Sequence, residues 1–226
     1  TYWGDQPFTS GPVYMGITIF LLFIIGLVVD KSYFRWTVIF ACVIYVMLAW
    51  GKNFEGFNRW IIEILPLYNK FRAVSMTMVI VQLLLPLVGI WGVHLIIKYK
   101  DEIEIKKIII PIASLLVLLL IFLVTPESFF NFFSGAETSM MNMPNQSSEY
   151  LDGMDLLHDY RVDIFKDGVK RGLLLVFLVG FSIFVFLKYK LNSNLLILIL
   201  GLIVLGDLWT TNLNYQNNDK DLKTKK

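Results

Sequence analysis

One cysteine, two histidines and a charged fraction of 17% leave this 226-residue chain few of the side chains from which most active sites are built. The single thiol, Cys42, lies inside an apolar run, so no disulfide framework exists and a small buried hydrophobe is its reading. A net charge of +2, with the charges in blocks between apolar runs, is too small to call for a nucleic-acid partner. No nucleotide-binding glycine loop, zinc-ligand spacing, nucleophile elbow or internal repeat is visible. Those absences weigh against a nucleotide-driven pump.

What is present is apolar. Hydrophobic residues make up 56% of the chain and aromatics 15%, above the roughly 45–50% apolar content of an ordinary soluble domain. They fall in six runs, at 12–29, 36–50, 74–97, 108–124, 172–187 and 195–210, each almost free of formal charge. A hydrocarbon core about 30 Å thick needs about 20 helical residues. The expected fold class is therefore all-α: a polytopic membrane protein of about six transmembrane helices, with an interfacial helix and one long outer loop. The second run is the shortest, about 22 Å from Trp36 to Trp50, and needs Phe34 or Gly51 to complete a crossing. Residues 1–210 are expected to form the bundle and 211–226 a tail leading to a further domain. The first run has no positive residue before it and no small-residue cleavage site after it, so it reads as a span. An opening Thr and a lysine-rich end suggest an excerpt from a longer protein.

The loops set orientation. Residues 30–35 carry Lys31 and Arg35, 98–107 carry four lysines and 188–194 carry two. The first of the opposite segments, 1–11, has no Lys or Arg, and 51–73 and 125–171 have four each over much longer stretches. Positive charge resists translocation, so the short basic loops are expected in the cytoplasm and both termini outside. Trp36, Trp50, Trp60 and Trp209 sit at or near expected helix ends, where an indole favours the headgroup zone.

Four segments carry candidate chemistry. In 51–73, Phe57, Trp60, Ile61, Ile64 and Leu65 recur at helical spacing until Pro66, the pattern of a helix lying in the headgroup plane. Tyr68 to Arg72 follows, where Lys70 and Arg72 alternate with aromatics and either anchor the next span or grip a lipid phosphate. The amino-terminal Tyr2, Trp3 and Asp5 suit either a sugar or a plain interfacial turn. In 125–171, Phe129, Phe130, Phe132 and Phe133 are expected to dip into the interface. Met140, Met141, Met143 and Met154 with His158 have donor atoms for copper(I), but without repeated spacing or a nearby second histidine they read as apolar filler. From Ser148 the pattern turns helical, and Arg161, Asp163, Lys166, Asp167, Lys170 and Arg171 lead into the fifth span as a solvated, ion-paired face.

Inside the spans polar groups are rare. Gln82 and His94 lie in the third, with Gly89 and Gly92 as helix-packing glycines. Asp207, near the outer end of the sixth, reads equally as a helix-end hydrogen-bond partner or a site contributor.

The segments YWGDQPFTSGPVYMG, YNKFRAVSM, HDYRVDIFKDGVKRG and LGDLWTTN, in that order, resemble the YfhO family of bacterial membrane proteins, most closely a branch found in Bacteroidetes-type bacteria. The likeness is spread over nearly all of the chain, but none of these motifs defines a catalytic activity. The family is similar to GT-C glycosyltransferases. The resemblance implies transfer of a sugar from a polyprenyl-phosphate donor to a cell-envelope glycan or lipid acceptor, outside the cytoplasmic (inner) membrane. It implies phosphate contact by Lys70 and Arg72, sugar contact by Tyr2, Trp3 and Asp5, and loop orientation or acceptor contact by Arg161, Asp167 and Arg171. The catalytic acid of such enzymes would lie upstream of Thr1. No cofactor is identified, and any divalent metal would belong to the full-length protein. The rival readings are a lipid-linked-sugar flippase, which needs a polar route through the bilayer, and a non-catalytic scaffold.

Overall fold

The computed structural model describes residues 14–50, 54–64, 77–143, 147–189 and 191–215. Those residues form helices and connecting turns, with no strand among them. The helices are α1 (Ile17–Val29), α2 (Phe34–Ala49), α3 (Glu55–Ile64), α4 (Met78–Lys98), α5 (Lys106–Val124), α6 (Gly135–Met141), α7 (Ser148–Lys188) and α8 (Ser193–Tyr215), with a short 3-10 turn at Pro126–Ser128.

Four of them, α4, α5, α7 and α8, are long and apolar enough to cross a membrane. The all-α expectation therefore holds, and the spans at 108–124, 172–187 and 195–210 each fall on one of these helices; α4 takes the one at 74–97 from Met78, with 74–76 outside the described residues. The first two runs make shorter apolar helices. α1 has 13 residues and α2 has 16, about 20 Å and 24 Å at helical rise. α2 does begin at Phe34, one of the two extensions that a crossing there required. Large apolar side chains such as Ile90, Val117 and Leu202 stay exposed on the four long helices, as a lipid environment allows. All four boundary tryptophans, 36, 50, 60 and 209, are exposed as well.

The chain divides into two compact units, one formed by 112–178 and the other by 14–111 with 179–215. In the second unit, α1 packs on α4, α2 packs on α4, and α1 meets α8. The α1–α4 seam is a glycine crossing. A Cβ on Gly92 would stand 2.5 Å from the Gly26 Cα, and one on Gly26 would stand 2.5 Å from the Val88 carbonyl oxygen. Only two hydrogen side chains permit so close an approach, which in lipid supplies the packing that apolar side chains alone do not. Gly89 sits a turn away against Leu22. Phe23, Val38, Val81, Leu85 and Val88 fill the core beside it.

One end of this unit gathers basic loops. Lys100 donates to the Tyr189 carbonyl at 3.1 Å and lies over the Phe186 ring at 4.6 Å, so two of the three basic loops are adjacent. In the third, Asp30 accepts from the Ser32 amide and hydroxyl at 2.9 and 2.8 Å, closing the α1–α2 turn, while Arg35 donates to the Asp30 carbonyl.

α3 covers the expected interfacial helix. Trp50, Phe54, Phe57 and Trp60 form a continuous row of ring contacts at 5.6–6.3 Å, and Arg59 pairs with Glu55 at 2.6 Å. This exposed pair contributes little, so the aromatic row, exposed at Trp50, Phe54 and Trp60, is what gives α3 a preferred surface.

Candidate functional site

Two constellations of polar groups stand out, one in each unit. The first is built on Asp207 of α8, which is fully buried. One carboxylate oxygen accepts from the Tyr14 hydroxyl at 2.7 Å. The other accepts from the Thr18 hydroxyl at 2.8 Å and the Thr18 amide at 3.2 Å. The local sequence explains why a distant carboxylate is needed. α1 is preceded by Gly16, which has no side chain to cap the helix, and whose φ of 84° suits glycine. A Cβ there would come within 3.2 Å of an Asp207 oxygen. Asp207 thus caps α1 from another helix, and its negative charge faces the positive end of the α1 dipole.

Asp207→Ala removes the acceptor of the buried Thr18 hydroxyl and amide, at about 1–3 kcal/mol, and one bond from the more exposed Tyr14. Its thermal midpoint in detergent should fall, with Asp207→Asn falling less because one acceptor oxygen remains. Equal midpoints for the wild type and Asp207→Ala would remove the capping role.

The second constellation lies in the 112–178 unit. After α5 the chain turns at the buried Pro126, whose carbonyl accepts from the amides of Phe129 and Phe130. Phe122 meets Phe129 and Phe130 at 5.6 and 5.2 Å, and Phe130 and Phe132 meet Phe165 of α7 at 4.9 and 5.7 Å. Phe132 is almost wholly buried, and Phe133 packs on the His158 ring at 5.3 Å. The four phenylalanines expected at an interface therefore differ: 130, 132 and 133 all touch α7, but 130 stays exposed with 129.

A buried cation locks this turn. Arg161, 5% exposed, donates to the Phe132 carbonyl at 2.6 Å and to both Glu137 oxygens at 2.9 and 2.8 Å. Glu137 also closes a capping box at the start of α6. Its carboxylate accepts from the Ser134 amide at 2.8 Å, and its own amide donates to the Ser134 hydroxyl at 3.2 Å. The Arg161 hydrogen bonds, and then the Ser134 amide, hold its carboxyl down at about 2. The Ser134-x-x-Glu137 spacing is a capping-box signature, so α6 was readable in the sequence; the partnership with Arg161 was not.

Beside this lock opens a pocket of about 370 Å³ lined by Glu127, Ser128, Phe129, Phe130, Asn131, Phe132 and His158. That lies at the lower end of small-molecule sites, which run from about 300 to 1,000 Å³. Asn131, an exposed side chain, accepts from the Phe133 amide through its side-chain oxygen at 3.1 Å. Glu127 and Ser128 have no side-chain partner among the described residues.

The residues singled out in the sequence scatter. Asp207 and Arg161 are buried structural partners in different units. Asp167 forms an exposed pair with Lys170 at 2.9 Å, and Arg171 is half-buried on the same helix. Gln82 is half-buried in α4, and the exposed His94 stacks on Trp91 at 5.4 Å. Tyr2, Trp3, Asp5, Lys70 and Arg72 lie outside the described residues. Glu127 and Asn131 were missed, because a lone carboxylate and a lone amide carry no spacing signal. No group of three or more His, Cys, Asp or Glu side chains among the described residues is arranged to hold a metal ion. Compared with protein-family models, with curated proteins and with solved structures, the chain matches none.

Proposed function

We propose that the chain is part of a membrane glycosyltransferase-like protein of the YfhO type. It would move a sugar from a polyprenyl-phosphate donor to a cell-envelope acceptor on the outer side of the bacterial cytoplasmic membrane. The observation that carries this reading is the Glu127–His158 pocket. It follows directly on α5, a helix long enough to cross a membrane, and its lining carries polar side chains, which supports a substrate site on this turn. The four segments resembling the family support it further.

In the complete protein, the donor phosphate rests against Arg72 and Lys70 in the outer leaflet. A carboxylate takes the acceptor hydroxyl's proton as that oxygen attacks the anomeric carbon. The bond to the phosphate oxygen breaks, and the cations offset the charge left on the phosphate. A flippase needs polar side chains along the spans. Asp207, the strongest such group, is engaged by Tyr14 and Thr18, which favours the transferase over that rival.

The reading is tested with Arg72→Ala in the full-length protein, assayed for transfer from a labelled lipid-linked sugar. Insertion should be normal and transfer lost. Unchanged transfer would sink the phosphate role. A wild-type protein that transfers nothing, but whose outer-loop variants disturb a complex, would instead establish the scaffold.

A further inference from the structure

We propose that the Glu127–His158 pocket holds the neutral pyranose ring of a sugar and turns away the phosphate. This rests on the transferase reading and assigns one part of its substrate to one place. The argument begins with charge. Among the described residues of the lining, Glu127 alone carries a fixed formal charge, and that charge is negative. The nearby cation, Arg161, is held in a two-pronged pair with Glu137 and also bonds the Phe132 carbonyl, so it faces the lock rather than a ligand. Among the described residues, a phosphate entering here would meet a carboxylate and no matching cation.

The remaining groups suit hydroxyls. Glu127 offers two acceptor oxygens, and a carboxylate accepts hydrogen bonds more strongly than a neutral oxygen does. Asn131 offers an NH2, Ser128 a hydroxyl and His158 a ring nitrogen. A pyranose presents both kinds of surface: hydroxyls around its rim and an apolar C–H face. The exposed Phe129, 59% accessible, and Phe130 beside it supply aromatic faces for the latter. Rigidity comes from below. Pro126, the buried Phe132 and the Arg161–Glu137 lock fix the turn, so little ordering is left to occur on binding.

The donor's sugar and a sugar acceptor present the same ring chemistry to the pocket. Saturation-transfer NMR on the detergent-solubilised protein would use methyl glucoside and methyl N-acetylglucosaminide as probes, with glucose 1-phosphate as the charged control. At least one neutral glycoside should receive saturation, with glucose 1-phosphate about tenfold weaker. Phe129→Ala and Glu127→Gln should each weaken the neutral probe by about tenfold. Both side chains are exposed, so both variants should fold, and an unchanged thermal midpoint verifies that they do. Equal binding of glucose 1-phosphate, or neutral-probe signals untouched by both variants, overturns the proposal. In the transfer assay, Phe129→Ala should raise the KM for the lipid-linked donor if the ring is the donor's, and for the acceptor if it is the acceptor's. Glycoside binding without any wild-type transfer would keep the pocket and reject the transferase. Transfer with no pocket dependence would do the reverse.

Discussion

Gly92→Leu should give a large loss of stability. The Gly92 Cα hydrogen faces the backbone of α1, and a Cβ would sit 2.5 Å from the Gly26 Cα and 2.9 Å from its nitrogen. Neither atom belongs to a side chain that can rotate away, so the helices must part. Parting them uncovers Leu22 and Val88 and loosens the core around Phe23 and Leu85. Overpacking in a well-filled core costs about 1–3 kcal/mol, and a clash of backbone with backbone belongs at or above the upper end. Gly26→Leu should behave alike, because its Cβ would meet the Val88 carbonyl oxygen. Gly153 and Gly201 supply the controls. Each is helical with nothing within 4 Å of the added carbon, so alanine there should be neutral or stabilising by up to about 1 kcal/mol. Thermal midpoints in detergent separate the two classes. If Gly92→Leu matched Gly201→Ala, the α1–α4 crossing would be wrong.

The second large effect belongs to Arg161. Removing one member of a buried ion pair costs about 3–5 kcal/mol, because the other charge is left without compensation. Glu137 keeps 27% of its side chain exposed, which puts Arg161→Met toward the lower end of that range. The same change strips the Phe132 carbonyl of its donor. The loss should be local. Hydrogen exchange at the amides of residues 129–141 should accelerate, while amides in α4 and α8 stay protected. Glu137→Met placed on top of Arg161→Met should recover part of the loss, since it removes the uncompensated carboxylate.

Acid should act on the same lock. The Glu137 carboxyl is depressed to about 2 from its ordinary 4.5, so it contributes stability that is present in full above about 4.5. That contribution falls away as pH drops through the window from about 4.5 to 2. Protection of residues 129–141 should decline across that window in the wild type and show no such decline in Glu137→Gln. A lock that held equally well at pH 2 would contradict the Arg161–Glu137 assignment.

The chain's periodicities determined a good deal on their own. Apolar runs without charge fixed the helical class and the positions of α4, α5 and α8, because burying an unpaired charge or a bare backbone in lipid is too costly to be disguised. The aromatic spacing of 57–65 marked α3, and Gly89 and Gly92 marked a packing face, since both signals are local and repeat at the helical period. The helical pattern from Ser148 and the apolar run at 172–187 were both legible, though not that they join in one 41-residue helix.

Tertiary structure decided the rest. That Asp207 caps α1 depends on a contact spanning 189 residues of sequence, and only the absence of a capping side chain at Gly16 hinted that a partner was needed. Arg161 read as one charge in a solvated run. It is instead the buried centre of a lock, because the turn after α5 folds Phe132 and Glu137 onto α7. The pocket follows from that fold alone. Glu127, Asn131 and His158 share no period and no motif, and what brings them together is a proline turn held by a distant guanidinium.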